Sequence, residues 1–174
     1  MWRDSDGLAN HGRGADAEKI AEAIMRVVQR DPEERKLRFH ASLLESIAFD
    51  DSIDAQFAHH LTSYTASLSY RQLCILELVR NVARFDLYDK PLETLGRQSL
   101  STNTEALMAD IFDLKHRGLV FTGSYMDWSA FEINPASMRL EQLGERLHAT
   151  MCLDQLPEWE IRSIAKLLKF KGGS

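Results

Sequence analysis

The stretch from Ser69 to Val82 constrains the fold of this chain most. Ser69-Tyr70-Arg71-Gln72 has the form of a capping box, a serine followed three residues later by glutamine. Such a pair starts a helix by satisfying free backbone amides from both sides. The helix it opens carries Leu73, Cys74, Leu76, Leu78, Val79 and Val82, the most apolar set in the sequence. A helix apolar on several sides has to be surrounded. It is therefore the expected central element of a mainly α fold.

Three amphipathic helices precede it. Over residues 16–30, Ile20, Ile24, Val27 and Val28 share one face. Asp31-Pro32-Glu33-Glu34 is a strong helix start: an aspartate to cap, a proline with no amide to lose, and two carboxylates at the positive end of the dipole. The second helix has Leu37, Ala41, Leu44 and Ile47 as its predicted apolar stripe and is broken by Asp50-Asp51-Ser52. A third, from about Asp54 to Ser67, is expected to bury Phe57, Leu61 and Tyr64. Residues 1–14 lack the apolar core of a secretory signal and read as a flexible lead-in.

After the central helix, Tyr88-Asp89-Lys90-Pro91 leads to a short helix over Leu92 to Gln98. Ser101-Thr102-Asn103-Thr104 offers several caps for a helix running through Arg117 on Leu107, Ile111 and Leu114, with Gly118 placed to take positive φ at its end. The period then changes. Leu119-Val120-Phe121-Thr122 and Phe131-Glu132-Ile133-Asn134 read as two strands around a loop from Gly123 to Ala130. A closing helix from Pro135 or Met138 to Met151 carries Leu140, Leu143, Leu147 and Met151, and a last helix follows Pro157. The predicted organisation is a lead-in (1–14), an N-terminal helical segment (15–68), a second domain (69–152) and a C-terminal helix (153–171). No glycine- or proline-rich linker separates 16–67 from the helix after Ser69, so the helical segment is expected to pack on the second domain.

The order helix, short helix, helix, hairpin, helix from Ser69 to Met151 resembles a winged helix-turn-helix. Leu114-Lys115-His116-Arg117-Gly118-Leu119-Val120 is similar to the end of a recognition helix turning into its wing. Leu140-Glu141-Gln142-Leu143-Gly144 is similar to the leucine-threonine-x-x-glycine start of the closing helix in MarR-like regulators, with Glu141 in place of the threonine, which suggests a start nearer Asn134-Pro135. More distantly, residues 33–151 are similar to bacterial abortive-infection alpha proteins, a likeness that implies phage defence without a defined chemistry. Both resemblances are architectural, and function has to be argued from the surfaces.

A winged helix suggests DNA, with Thr102, Asn103, Lys115 and Arg117 on the recognition helix and Arg162, Lys166 and Lys169 helping on phosphates. Charge argues against it. The net charge is −5; residues 1–68 hold 8 basic and 12 acidic side chains, residues 69–174 hold 13 and 14. Phosphate neutralisation asks for the opposite sign. Glu105, Ala109, Asp113 and His116 are expected on the outward face of the helix carrying Leu107. From Leu119 to Met138 there is no lysine or arginine, while Asp127 and Glu132 are present. The wing offers Tyr125, Met126 and Trp128 instead, residue types enriched at protein–protein hot spots. Trp128 and Tyr125 also suit a second role, folding back over the hairpin to cap the domain core.

Catalytic and metal constellations are not expected. Asp50, Asp51 and Asp54 with His59 and His60 come nearest, but adjacent histidines point about 100° apart on a helix, and the aspartates fit break and cap roles. His40, His116 and His148 read as surface or boundary residues. Cys74 and Cys152 sit in apolar helical patterns and are expected as buried thiols rather than a disulfide or zinc site. No phosphate-binding glycine loop or serine-nucleophile motif occurs, and no cofactor is implied. With no run of the ~20 apolar residues a membrane helix needs, the expected molecule is a cytoplasmic, non-enzymatic interaction module. Its partner is a protein or a second copy, a dimer fitting either case, and a DNA-binding regulator is the alternative.

Overall fold

A computed structural model describes residues 19–29, 33–50, 52–95, 100–123 and 129–170. The chain is mainly helical with one small antiparallel hairpin among the described residues. It divides into two compact units. One holds the described residues up to Tyr70 together with Thr150–Cys152; the other holds Arg71–Ala149 and the described residues from Leu153 onward.

In the first unit, α1 covers residues 19–29, α2 Leu37–Phe49 and α3 Ala55–Ser67. Ile20 and Ile24 of α1 are buried as their spacing predicts, and Val27 and Val28 are half-buried. The Asp31-Pro32 start signal lies outside the described residues. In α2 the buried stripe is Phe39, His40 and Leu43, whereas Leu37 and Ala41 are exposed. The predicted stripe is thus rotated by about a quarter turn. The reason is area: a phenylalanine ring buries about 150–250 Å², so the register that hides Phe39 wins over the one that hides Leu37. The Phe39 ring lies 6.3 Å from that of Tyr70, over which the Arg35 guanidinium sits at 4.4 Å.

In α3 Leu61 is fully buried as expected, but its buried companions are Ala58, Thr62 and Thr65, with Phe57 and Tyr64 only half-buried. The threonines are admitted because their hydroxyls donate back to helix carbonyls, Thr62 to Ala58 at 2.9 Å and Thr65 to Thr62 at 3.0 Å. Asp54 caps α3, its carboxylate accepting from the Phe57 amide at 2.7 Å. The Ser46 hydroxyl donates to the Thr150 carbonyl at 2.9 Å, tying the returning segment into this unit.

The second unit is built around α4, Tyr70–Arg80. Leu73, Cys74, Ile75, Leu76, Leu78 and Val79 are all buried, the burial its composition predicts. Around it are α5 (Thr102–His116), α6 (Gln142–Thr150) and α7 (Glu158–Leu167). Leu107, Ile111 and Leu114 of α5 are fully buried, and Ser101 caps that helix by accepting from the Thr104 amide. Helix α5 packs against α7. The segment after α4 is threaded into this core by Tyr88: its amide donates to Leu168, and its carbonyl accepts from Ala136.

The hairpin pairs β1, Val120–Phe121, with β2, Arg139–Leu140, in the register Val120 to Leu140 and Phe121 to Arg139. This corrects the sequence expectation. Ala130–Glu132 forms a short 3-10 turn rather than a strand, and Ile133 gives its carbonyl to the Leu92 amide. The Asn134 side chain then accepts from the Ala136 amide, and Pro135 follows with its fixed φ. The Asn134 amide still donates to the Thr122 carbonyl at 3.3 Å, but the strand paired with β1 is the chain beyond this turn. The closing helix accordingly begins at Gln142 and not near Asn134, leaving Leu140 in the strand.

Gly118 ends α5 with φ +69, the left-handed conformation expected of it. Gly144 serves a different need. A Cβ built there would lie 2.1 Å from the Leu119 carbonyl oxygen. The same oxygen accepts the Glu141 amide at 3.0 Å. Backbone against backbone is the reason this position of α6 carries no side chain.

Candidate functional site

The hairpin tip singled out from sequence, Tyr125, Met126 and Trp128, lies outside the described residues. The nucleic-acid set can be placed, and the structure does not bring it together. Thr102 and Asn103 are exposed at the start of α5, while Lys115 and Arg117 sit at its other end. At 1.5 Å per residue the two groups are about 20 Å apart. The Lys115 ammonium is buried. Arg117 is held by Asp113 at 2.8 Å, and Asp113 also accepts the Gln72 side-chain amide at 2.8 Å. Arg71 pairs with Asp110 one turn earlier. Asp113, its side chain 42% exposed, is thus paired rather than facing open solvent. The start of α4 lies along this side of α5 and engages both aspartates.

One basic residue does enter the hairpin through the corrected strand. Arg139 is exposed, with its guanidinium 4.0 Å above the Phe121 ring. On α7, Arg162 is drawn back onto Glu158 at 2.7 Å, which also meets Arg84 at 3.4 Å. Lys166 and Lys169 are exposed, as a solvated stripe requires.

The aspartate and histidine cluster resolves into local structure. Asp50 ends α2 and accepts from the Ser52 amide at 2.9 Å, Asp54 caps α3, and Asp51 lies outside the described residues. His59 and His60 are exposed, His59 bordering a cavity of about 180 Å³ beside Lys19 and Ile20. Among the described residues no group of three or more His, Cys, Asp or Glu is arranged to hold a metal ion. None of the described helices is long and apolar enough to cross a membrane. Cys74 is buried, its thiol 3.8 Å from the Glu160 carboxylate; Cys152 is only half-buried and has φ +52, unlike the buried helical thiol expected.

Two features escaped the sequence reading. The first is a polar cleft of about 640 Å³ bordered by Glu77, Arg80, Asn81, Arg84, Glu145, His148, Ala149 and Asp154. At its base Glu77 and His148 are joined at 2.6 Å, with the Asn81 amide on the other carboxylate oxygen of Glu77 at 2.7 Å. Where surface or boundary positions were expected, His40 is fully buried and His148 is buried at the border of this cleft. A carboxylate-held imidazole can move a proton, but none of these border residues is a serine, threonine, cysteine or lysine that it could activate. A lone glutamate inside the most apolar helix was the available signal, because an ionisable residue there requires a partner.

The second is Trp159, 66% exposed on α7. The period of Ile161, Ile164 and Leu168 already assigns Trp159 to the far side of that helix. In the first unit Phe49 is likewise exposed, at 83%.

Comparison with known proteins returns no family model that matches the chain, and no curated protein or solved structure that matches it either.

Proposed function

We propose that this chain is a non-enzymatic protein-interaction and regulatory module on a winged-helix-like scaffold, acting in the bacterial cytoplasm in a phage-defence or phage-encoded setting. The order α4, short turn, α5, hairpin, α6 supports the scaffold reading. A single observation carries the choice of partner: three of the five basic residues named for nucleic acid are engaged within the chain. The Lys115 ammonium is buried, Arg117 is paired with Asp113, and Arg162 with Glu158. Freeing any of them for phosphate means first giving up an ion pair or a buried position. The exposed indole of Trp159, by contrast, belongs to the residue types that anchor protein interfaces.

The runner-up, a DNA-binding regulator, retains Thr102, Asn103, Lys166 and Lys169 as exposed groups. Titration of the full chain into labelled duplex DNA between about 50 and 200 mM salt separates the two readings. The expected result is no saturable binding even at the lower salt. Tight binding that collapses as salt rises would replace the protein-interaction reading with the regulator.

A further inference from the structure

Helix α7 buries one face completely and leaves the other bare. Glu160, Ile161, Ile164 and Ala165, with Leu168 just past its end, are buried, while Glu158, Trp159, Arg162, Ser163 and Lys166, with Lys169 two residues past its end, are exposed. Trp159 and Lys166 are seven residues apart, two turns along the same line of the helix. The charge around this face is opposite to that of the chain. Residues 161–170 hold Arg162, Lys166 and Lys169 and no Asp or Glu, whereas the other 164 residues hold 18 basic and 26 acidic side chains. Trp159 therefore stands at the edge of a positive stretch of an acidic protein.

Resting on the protein-interaction reading above, we propose that this face docks an acidic peptide segment of a partner protein. Carboxylates of that segment lie against Lys166 and Lys169, and one of its apolar side chains seats on the Trp159 indole. Charge complementarity selects the sign of the partner and steers its approach, and the indole supplies the desolvated anchor. A nucleic acid fits the same face less well. Glu158 neighbours Trp159 and holds Arg162, and a polyanion long enough to gain affinity must also run over the acidic remainder. Two lysines release too few counterions to compensate. A lipid surface fits less well again, because the apolar face of α7 is already used in the protein's own core.

The test is an anisotropy titration of the full chain with a labelled peptide of glutamates flanking a leucine-phenylalanine pair. Saturable binding that weakens with salt is expected. Trp159→Ala and the double charge reversal Lys166→Glu/Lys169→Glu each weaken it by about tenfold or more, with an unchanged melting temperature because all three side chains are exposed. Trp159→Phe keeps most of the affinity. A lysine-based peptide of the same design, oligothymidylate and phosphatidylserine vesicles are not bound. No binding of the glutamate peptide at low salt overturns the proposal, as does equal binding by the variants or preferred binding of oligothymidylate or vesicles. Duplex DNA binding would remove the underlying protein-interaction reading. A failed peptide titration without duplex binding would remove only the assignment of α7.

Discussion

His148 of α6 and Glu77 of α4 are joined by a hydrogen bond of 2.6 Å, each side chain 11% exposed. The pair links two helices of the second unit and gives the one carboxylate within the apolar run of α4 a partner. Removing one member leaves the other polar group desolvated, which costs more than the bond itself contributes. His148→Ala is expected to lower unfolding stability by about 3 kcal/mol. The double variant Glu77→Leu/His148→Leu should be less destabilised than the sum of its single variants. Urea unfolding of the four-member cycle measures the coupling; simple additivity would show that the pair does not act together.

Gly118 and Gly144 should respond differently to alanine. At Gly118 a Cβ meets nothing within 4 Å, and only the positive φ opposes it, so Gly118→Ala is expected to cost about 1 kcal/mol. At Gly144 the Cβ would collide with the Leu119 carbonyl. Gly144→Ala should cost several times more, on the order of 3 kcal/mol or above. Denaturant midpoints of the two variants decide it, and equal midpoints would contradict the close approach.

Asp54 and Ser101 each hold an amide at the start of a helix, that of Phe57 and that of Thr104. Alanine at either position should cost about 1 kcal/mol, and Asp54→Asn should be nearly neutral because the amide oxygen still accepts. Thermal unfolding reads both. An Asp54→Asn loss as large as that of Asp54→Ala would show that charge, and not the hydrogen bond, matters there.

The two thiols should differ in reactivity. Cys74 is buried, while Cys152 is half-buried, so a thiol reagent should label Cys152 in the folded chain and reach Cys74 only on unfolding. Cys152 also occupies the left-handed region at φ +52. Cys152→Gly should therefore relieve about 1 kcal/mol of backbone strain, raising stability by whatever the lost packing of the half-buried side chain does not offset. A clear loss of stability would mean that this packing outweighs the strain.

What the residues determined by themselves was local. The apolar density of Leu73 to Val79, the caps at Asp54 and Ser101 and the glycine after α5 act within a few residues of one another, so periodicity and hydrogen-bonding chemistry are enough to read them. Tertiary structure decided everything that needed a partner far along the chain. Phe39 chose the buried face of α2 by finding Tyr70, and Gly144 had to be bare because Leu119 lies beneath it. Phe131 to Asn134 alternates like a strand, yet with the Asn134-Pro135 turn and the hydrogen bond from Leu92 it keeps only the bond from the Asn134 amide to Thr122, and the chain beyond pairs with β1. The candidate site divides in the same way: the exposure of Trp159 follows from the period of its own helix, whereas the pairing of Glu77 with His148 joins residues 71 positions apart. Such a pairing lowers the free energy only after the chain has closed, and no local pattern in the sequence encodes it.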